Sequence, residues 1–130
     1  MQPTRFARLW RPQLIGNALG YKKRDDGMDN LEHEFDMAMM DIYLRAKTEA
    51  GYNATRYLQM LEEHRGLDTA RILLHTPHVS DGYTALWERK RLDLTVEALI
   101  LQKKWHSLFS DQEREVARNR LEEYKYEFKE

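Results

Sequence analysis

Cysteine is absent from this 130-residue chain. Disulfides, thiolate metal sites and cysteine nucleophiles are therefore excluded, and a reducing, cytoplasmic setting is the expectation. No apolar run approaches the roughly 20 residues needed to cross a bilayer. The N-terminus lacks the apolar stretch of a secretory signal, so no membrane partner is expected. Charge of one sign is also lacking: the formal net charge is −1, and no overall field favours nucleic acid or anionic lipid. There is no glycine-rich phosphate loop, no serine nucleophile elbow and no zinc-protease histidine pair. No alternating β-branched pattern marks a strand, and no heptad or longer repeat is sustained.

What is present is helical. Hydrophobic residues make up 42% and charged residues 33%, enough apolar material for one charge-rich helical core. The organising stretch is Leu92 to Leu101, LDLTVEALIL, where seven of ten residues are apolar and do not keep to one face. A helix apolar nearly all round is normally buried. It is read here as a central post, about 92–102, around which amphipathic helices pack.

Residues 1–27 stand apart. Residues 1–24 hold six basic residues and no acidic one, whereas the other 106 carry a balance of −7. Pro3, Pro12, Gly16, Gly20 and Gly27 break any long helix there. The segment is read as a basic, poorly structured extension, preceding a helical domain over 28–130. Its own Phe6, Leu9, Trp10, Leu14 and Ile15 could form a short apolar patch. A basic arm that touches phosphate and a natural start at Met28 are the alternatives.

Downstream, Leu31, Phe35, Ala38, Met39, Ile42 and Ala46 form one apolar stripe, predicting a helix from about Asp29 to Ala50. Asp29 or Asn30 can cap its start, and Gly51 ends it. Asn53 is the expected cap of a second helix, closed by Gly66. A third runs from Leu67 to about His75 and is stopped by Pro77. Ser80-Asp81-Gly82 introduces a fourth, about Thr84 to Lys90. Asp93 is the expected cap of the central helix. Trp105, Leu108 and Phe109 make an apolar connection. Ser110-Asp111-Gln112-Glu113 reads as a capping box opening the last helix, with fraying after Tyr124.

Candidate chemistry is thin. His75 and His78 with Asp81 contain metal-ligand types, but Pro77 sets the histidines in a turn and the spacing matches no zinc site, so no metal is expected. Glu97 lies among apolar residues. Buried, it needs a partner such as Arg56, Arg71 or Arg120, or its pKa rises. An ion pair is the favoured reading over a general base, which would require a second positioned group. Glu32, Glu34, Asp36 and Asp41 resemble nuclease magnesium ligands in type only. The stripe places them on the solvent side, and the strand such a nuclease wants is missing. Met37 and Met40, off the stripe, could widen it into an adaptable apolar surface.

Basic–aromatic clusters flank the post: Arg89, Lys90 and Arg91 after Trp87, and Lys103 and Lys104 before Trp105. With Arg56 these are the candidate nucleic-acid contacts, since cations beside large rings bind phosphate and stack on bases. Both clusters also sit at predicted helix C-termini, where cations complement the dipole.

Four stretches carry a resemblance. They are Phe35-Asp36 to Lys47, Ala50-Gly51-Tyr52-Asn53-Ala54-Thr55-Arg56-Tyr57-Leu58, Ser80-Asp81-Gly82-Tyr83 to Glu88, and Arg91-Leu92-Asp93-Leu94 to Leu99. In this order they resemble a small uncharacterised bacterial all-helical domain. That domain occurs as stand-alone proteins and at the C-terminus of some restriction-type nucleases. The resemblance covers about 90 residues, leaves 1–27 outside, and implies an accessory role near DNA without assigning any catalytic or ligand residue.

The expectation is an all-α bundle of five or six short helices, acting without cofactor as a non-catalytic module that binds another protein or domain. Direct nucleic-acid binding is the runner-up, and a small hydrolase or nuclease is third.

Overall fold

The computed structural model describes residues 28–127. The expectations for residues 1–27 fall outside that range. The described residues form an all-α fold: α1 (Met28–Glu49), α2 (Thr55–His75), α3 (Asp81–Glu88), α4 (Val96–Ile100) and α5 (Asp111–Glu123). Short 3-10 helices over Leu92–Leu94 and Lys103–Leu108 complete it, and no strand is present among the described residues.

The expected stripe of α1 is its inner face. Phe35, Met39, Ile42 and Ala46 are buried, and Leu31 and Ala38 pack beside them. Phe35 meets Trp105 and Phe109 edge-on, with ring centroids 5.2 and 5.4 Å away. Edge-to-face pairs place a ring's positive rim on its neighbour's negative face, so they add to the gain from burial. Met40 joins the core and Met37 stays exposed, so the two methionines do not form one surface. Asn30 lies inside the helix, not at its cap. Gly51, at φ 68°, turns the chain out of α1, and the Tyr52 N–H reaches back to the Ala46 carbonyl.

The two helices expected on either side of Gly66 form one kinked element. The break lies at Arg65, with φ 68° and ψ −177°. Gly66 is next in line because a Cβ there would stand 2.6 Å from the Asp36 carboxylate and 3.0 Å from the Asp36 backbone. Only a residue without a side chain lets α2 approach α1 this closely. The N-terminal cap also differs from expectation. Asn53 does not cap α2; its side-chain oxygen accepts from the Tyr43 hydroxyl at 3.0 Å.

The central stretch is buried, but it is not one continuous helix. Leu92–Leu94 forms a 3-10 turn, Thr95 is extended, and α4 follows. Thr95, not Asp93, is the cap. Its hydroxyl donates to the Leu92 carbonyl at 2.7 Å and accepts from the Ala98 N–H at 3.2 Å. That pair of bonds offers the backbone a local alternative to the helical ladder, which divides the rod. Around it, the 3-10 turn touches α1 and α3, while α4 packs mainly on α5. Residues 94–101 are all buried, so the chain does wrap around this stretch.

Ser110 and Glu113 make the expected capping box, at 3.0 Å forward and 2.9 Å back. α3 begins three residues before the expected Thr84, capped by the Ser80 hydroxyl. α5 does not simply fray. The Tyr126 N–H donates to the Leu121 carbonyl and the Lys125 N–H to that of Glu122, with Lys125 at φ 62°. This double bond pattern is a Schellman termination.

Candidate functional site

A cleft of about 430 Å³ opens where five stretches meet. Ile42, Tyr43 and Ala46 come from α1, and Tyr52 to Tyr57 from the turn into α2. The end of α2 supplies Ile72 and Thr76, and the start of α3 supplies Asp81 and Tyr83. Thr95 to Glu97 come from the central stretch. All four stretches carrying the resemblance thus converge here.

Glu97 is the chemically distinctive group in the lining. It is 4% exposed, and its Oε2 lies 2.9 Å from Arg120 Nη1. Of the three arginines considered as partners, Arg120 is the one engaged. The same guanidinium donates to the Leu73 carbonyl at 3.1 Å and to the Thr76 carbonyl. One side chain therefore ties α5 to α4 and to the end of α2. Burial pushes the Glu97 carboxyl above its ordinary value, and Arg120 opposes that rise without cancelling it.

Tyrosines provide much of the surrounding surface. Tyr57 donates to the Met39 carbonyl at 2.8 Å, and Tyr83 to the Arg120 carbonyl at 2.9 Å. Both phenols are raised above their usual range, chiefly by burial and further by the negative charge of Glu97. The acid is therefore felt by both rings. The tyrosines and the cleft itself escaped sequence reading, because they converge from segments far apart in the chain.

The candidate nucleic-acid residues do not gather in one place. Arg56 is exposed and lines the cleft. Arg89 donates to the Ala50 and Ala85 carbonyls at 3.1 and 3.0 Å and lies 5.2 Å from the Tyr52 ring centroid. Arg91 holds Glu49 at 2.7 Å and Asp93 at 2.9 Å. Hydrogen bonds from Arg45 first and Arg91 next hold the Glu49 carboxyl down at about 2. Lys90 occupies a left-handed turn position, φ 62°. Lys103 is exposed. Lys104 pairs with Glu34 at 2.9 Å and lies 5.1 Å from the centre of the Trp105 ring. Glu34 and Glu49 are on one helix, so the two basic clusters are separated by about 22 Å at 1.5 Å rise per residue.

The acidic set is likewise divided. Glu34 and Asp41 face solvent as expected, but Asp36 is turned inward. Its two oxygens accept from the Gly66 N–H at 2.7 Å and from Arg65 at 2.9 Å. The spacing that suggested a solvent face ignored the second helix crossing at that turn. His75 pairs with Glu113 at 2.9 Å, while His78 lines the cleft. Among the described residues, no three histidine or carboxylate side chains are grouped to hold a metal ion. No helix among them is long and apolar enough to cross a membrane.

Comparison with protein-family models, curated proteins and solved structures returns no match for this chain.

Proposed function

We propose that this chain is a non-catalytic helical module that binds another protein or domain, with the tyrosine-lined cleft as its recognition site. The resemblance adds a setting in DNA-related or defence systems. The observation that carries the reading is the Glu97–Arg120 pair at 2.9 Å inside the cleft wall. An enzyme needs convergent titratable groups free to exchange protons. Here the buried acid is ion-paired through one oxygen with an arginine that also holds two backbone carbonyls. The neighbouring Tyr57 and Tyr83 hydroxyls donate to backbone carbonyls, which supports binding over proton transfer. What remains for a partner is a concave surface more apolar than polar, with tyrosines in its wall and the exposed Arg56 and Asp81 among its lining. The separation of the basic clusters, and the engagement of Arg91 and Lys104 by acids, weigh against a single phosphate-binding track.

Selection of peptides from a displayed random library, followed by NMR titration of the isotope-labelled protein, tests this reading. Selected peptides should shift Tyr52, Arg56, Ile72 and Tyr83 resonances and bind with little dependence on salt. Shifts confined to Arg89, Arg91 and Lys104 on adding a short DNA duplex, with affinity falling steeply in salt, would replace it with nucleic-acid binding.

A further inference from the structure

We infer that the cleft recognises an alkylammonium group, held against tyrosine rings with the Glu97 carboxylate as its counter-ion. This rests on reading the cleft as the recognition site and adds the chemistry of what enters. Tyr43, Tyr52, Tyr57 and Tyr83 all contribute to the lining. Three of their hydroxyls are already turned to internal acceptors: Asn53 for Tyr43, the Met39 carbonyl for Tyr57 and the Arg120 carbonyl for Tyr83. Tyr43 and Tyr83 are buried in the wall, so ring surface for a ligand comes from the half-buried Tyr52 and Tyr57. The faces of such rings are electronegative and attract cations. The neighbouring Arg89, 5.2 Å from the centre of the Tyr52 ring, makes this same contact at the edge of the cleft.

Charge inside the cleft points the same way. Arg56 and Asp81 are exposed lining residues of opposite sign, whereas Glu97 is the buried one. Arg120 is not part of the lining, so it holds Glu97 from behind. It takes one carboxylate oxygen and the Glu97 backbone N–H adds a bond, against about four lone-pair sites on an ionised carboxylate. Acceptor capacity is left for a second donor. The upward push that burial still exerts on Glu97 means that its negative form is under-compensated, a condition that a second cation relieves. The cleft volume of about 430 Å³ lies within the usual range for ligand pockets, roughly 300–1,000 Å³.

The test is an NMR titration with n-butylammonium against two controls of similar size at equal ionic strength, neutral butan-1-ol and anionic butyrate. A peptide with a single lysine and its Nε-acetylated form are titrated alongside. Butylammonium and the lysine peptide should shift Glu97, Tyr57 and Tyr83. Butylammonium should bind roughly tenfold more tightly than butan-1-ol, as expected for a desolvated charge-assisted contact, and acetylation should remove peptide binding. Tyr52→Phe should keep the affinity, and Tyr52→Leu should weaken it roughly threefold or more, since the ring and not the hydroxyl carries the attraction. Glu97→Gln should abolish the preference for the cation, and the Tyr52 pair decides the matter if that variant does not fold. Equal binding of butan-1-ol and butylammonium, preference for butyrate, or equal affinity of the two Tyr52 variants would overturn the inference. Free amine binding without peptide binding supports the ammonium site and refutes the protein-partner reading. Selected peptides that bind the cleft without any cation do the reverse.

Discussion

The Asp36 carboxylate lies 2.7 Å from the backbone N–H of Gly66, thirty residues further along the chain. A side chain of α1 thereby satisfies a donor freed where α2 kinks, and does from a neighbouring helix what a cap residue does locally. Its other oxygen takes Arg65, the residue in the left-handed conformation.

Two substitutions test this junction. Asp36→Ala leaves the Gly66 N–H buried without an acceptor, and should cost about 1–3 kcal/mol in urea unfolding. Gly66→Ala, ordinarily favourable in a helix, should here be destabilising by a similar amount, because its new methyl meets the Asp36 backbone at 3.0 Å. Unchanged unfolding midpoints for both would show that the α1–α2 approach is not as close as described.

Glu97 and Arg120 should be energetically coupled. Removing one member of a buried pair leaves an uncompensated charge, typically costing about 3–5 kcal/mol. The double replacement Glu97→Gln with Arg120→Met should cost less than the sum of the single ones. Arg120→Met should be the worse single change, since Arg120 also serves the Leu73 and Thr76 carbonyls. An additive cycle would mean that the two side chains do not interact.

Acid and neutral pH should reveal two opposed carboxyls. Burial alone would raise Glu113, but the Ser110 N–H, His75 and Arg71 outweigh it and hold the carboxyl below its ordinary value. A depressed folded pKa gives stability that is present above the unfolded value of about 4.3 and is lost as pH falls through the folded one. Glu97 has the opposite sign. Its raised folded pKa gives stability that is full below about pH 4.3 and is lost as pH rises through the folded value. Glu113→Gln should therefore flatten the acid limb of a stability–pH curve, and Glu97→Gln the limb above it. Identical curves for wild type and Glu97→Gln would contradict the burial of that acid. Glu49 also sits low, at about 2, but it is exposed and solvent screening makes its share small.

Local signals account for what was legible beforehand. The stripe from Leu31 to Ala46, the Gly51 stop and the Ser110–Glu113 box depend on residues a few positions apart, and all three appear in the structure. Burial of 94–101 followed from its apolar content, and Arg120 was among the arginines considered for Glu97. Thr95 was also within reach: a threonine three residues before Ala98 is an ordinary cap, hidden by the apolar residues around it. Asp36 was not, because its partner is supplied by another helix. The cleft was not either. Its tyrosines look like core in any single stretch, and become one wall only when α1, the α2 turn and α3 come together.

Lys90 illustrates how a residue can be mistaken for a binding group. Its N–H donates to the Trp87 carbonyl and the following Arg91 N–H to that of Leu86, a Schellman end with Lys90 at φ 62°. Left-handed backbone costs a residue with a Cβ roughly 1–2 kcal/mol, and glycine avoids it at an entropic cost of roughly 0.5–1 kcal/mol. Lys90→Gly should therefore stabilise the fold by up to about 1 kcal/mol, seen as a higher urea midpoint with an unchanged slope. Peptide affinity at the cleft should not change, because Lys90 is not in its lining. A lower midpoint would mean that the lysine side chain contributes more than its backbone strain costs, and a loss of peptide binding would move the recognition surface to the end of α3.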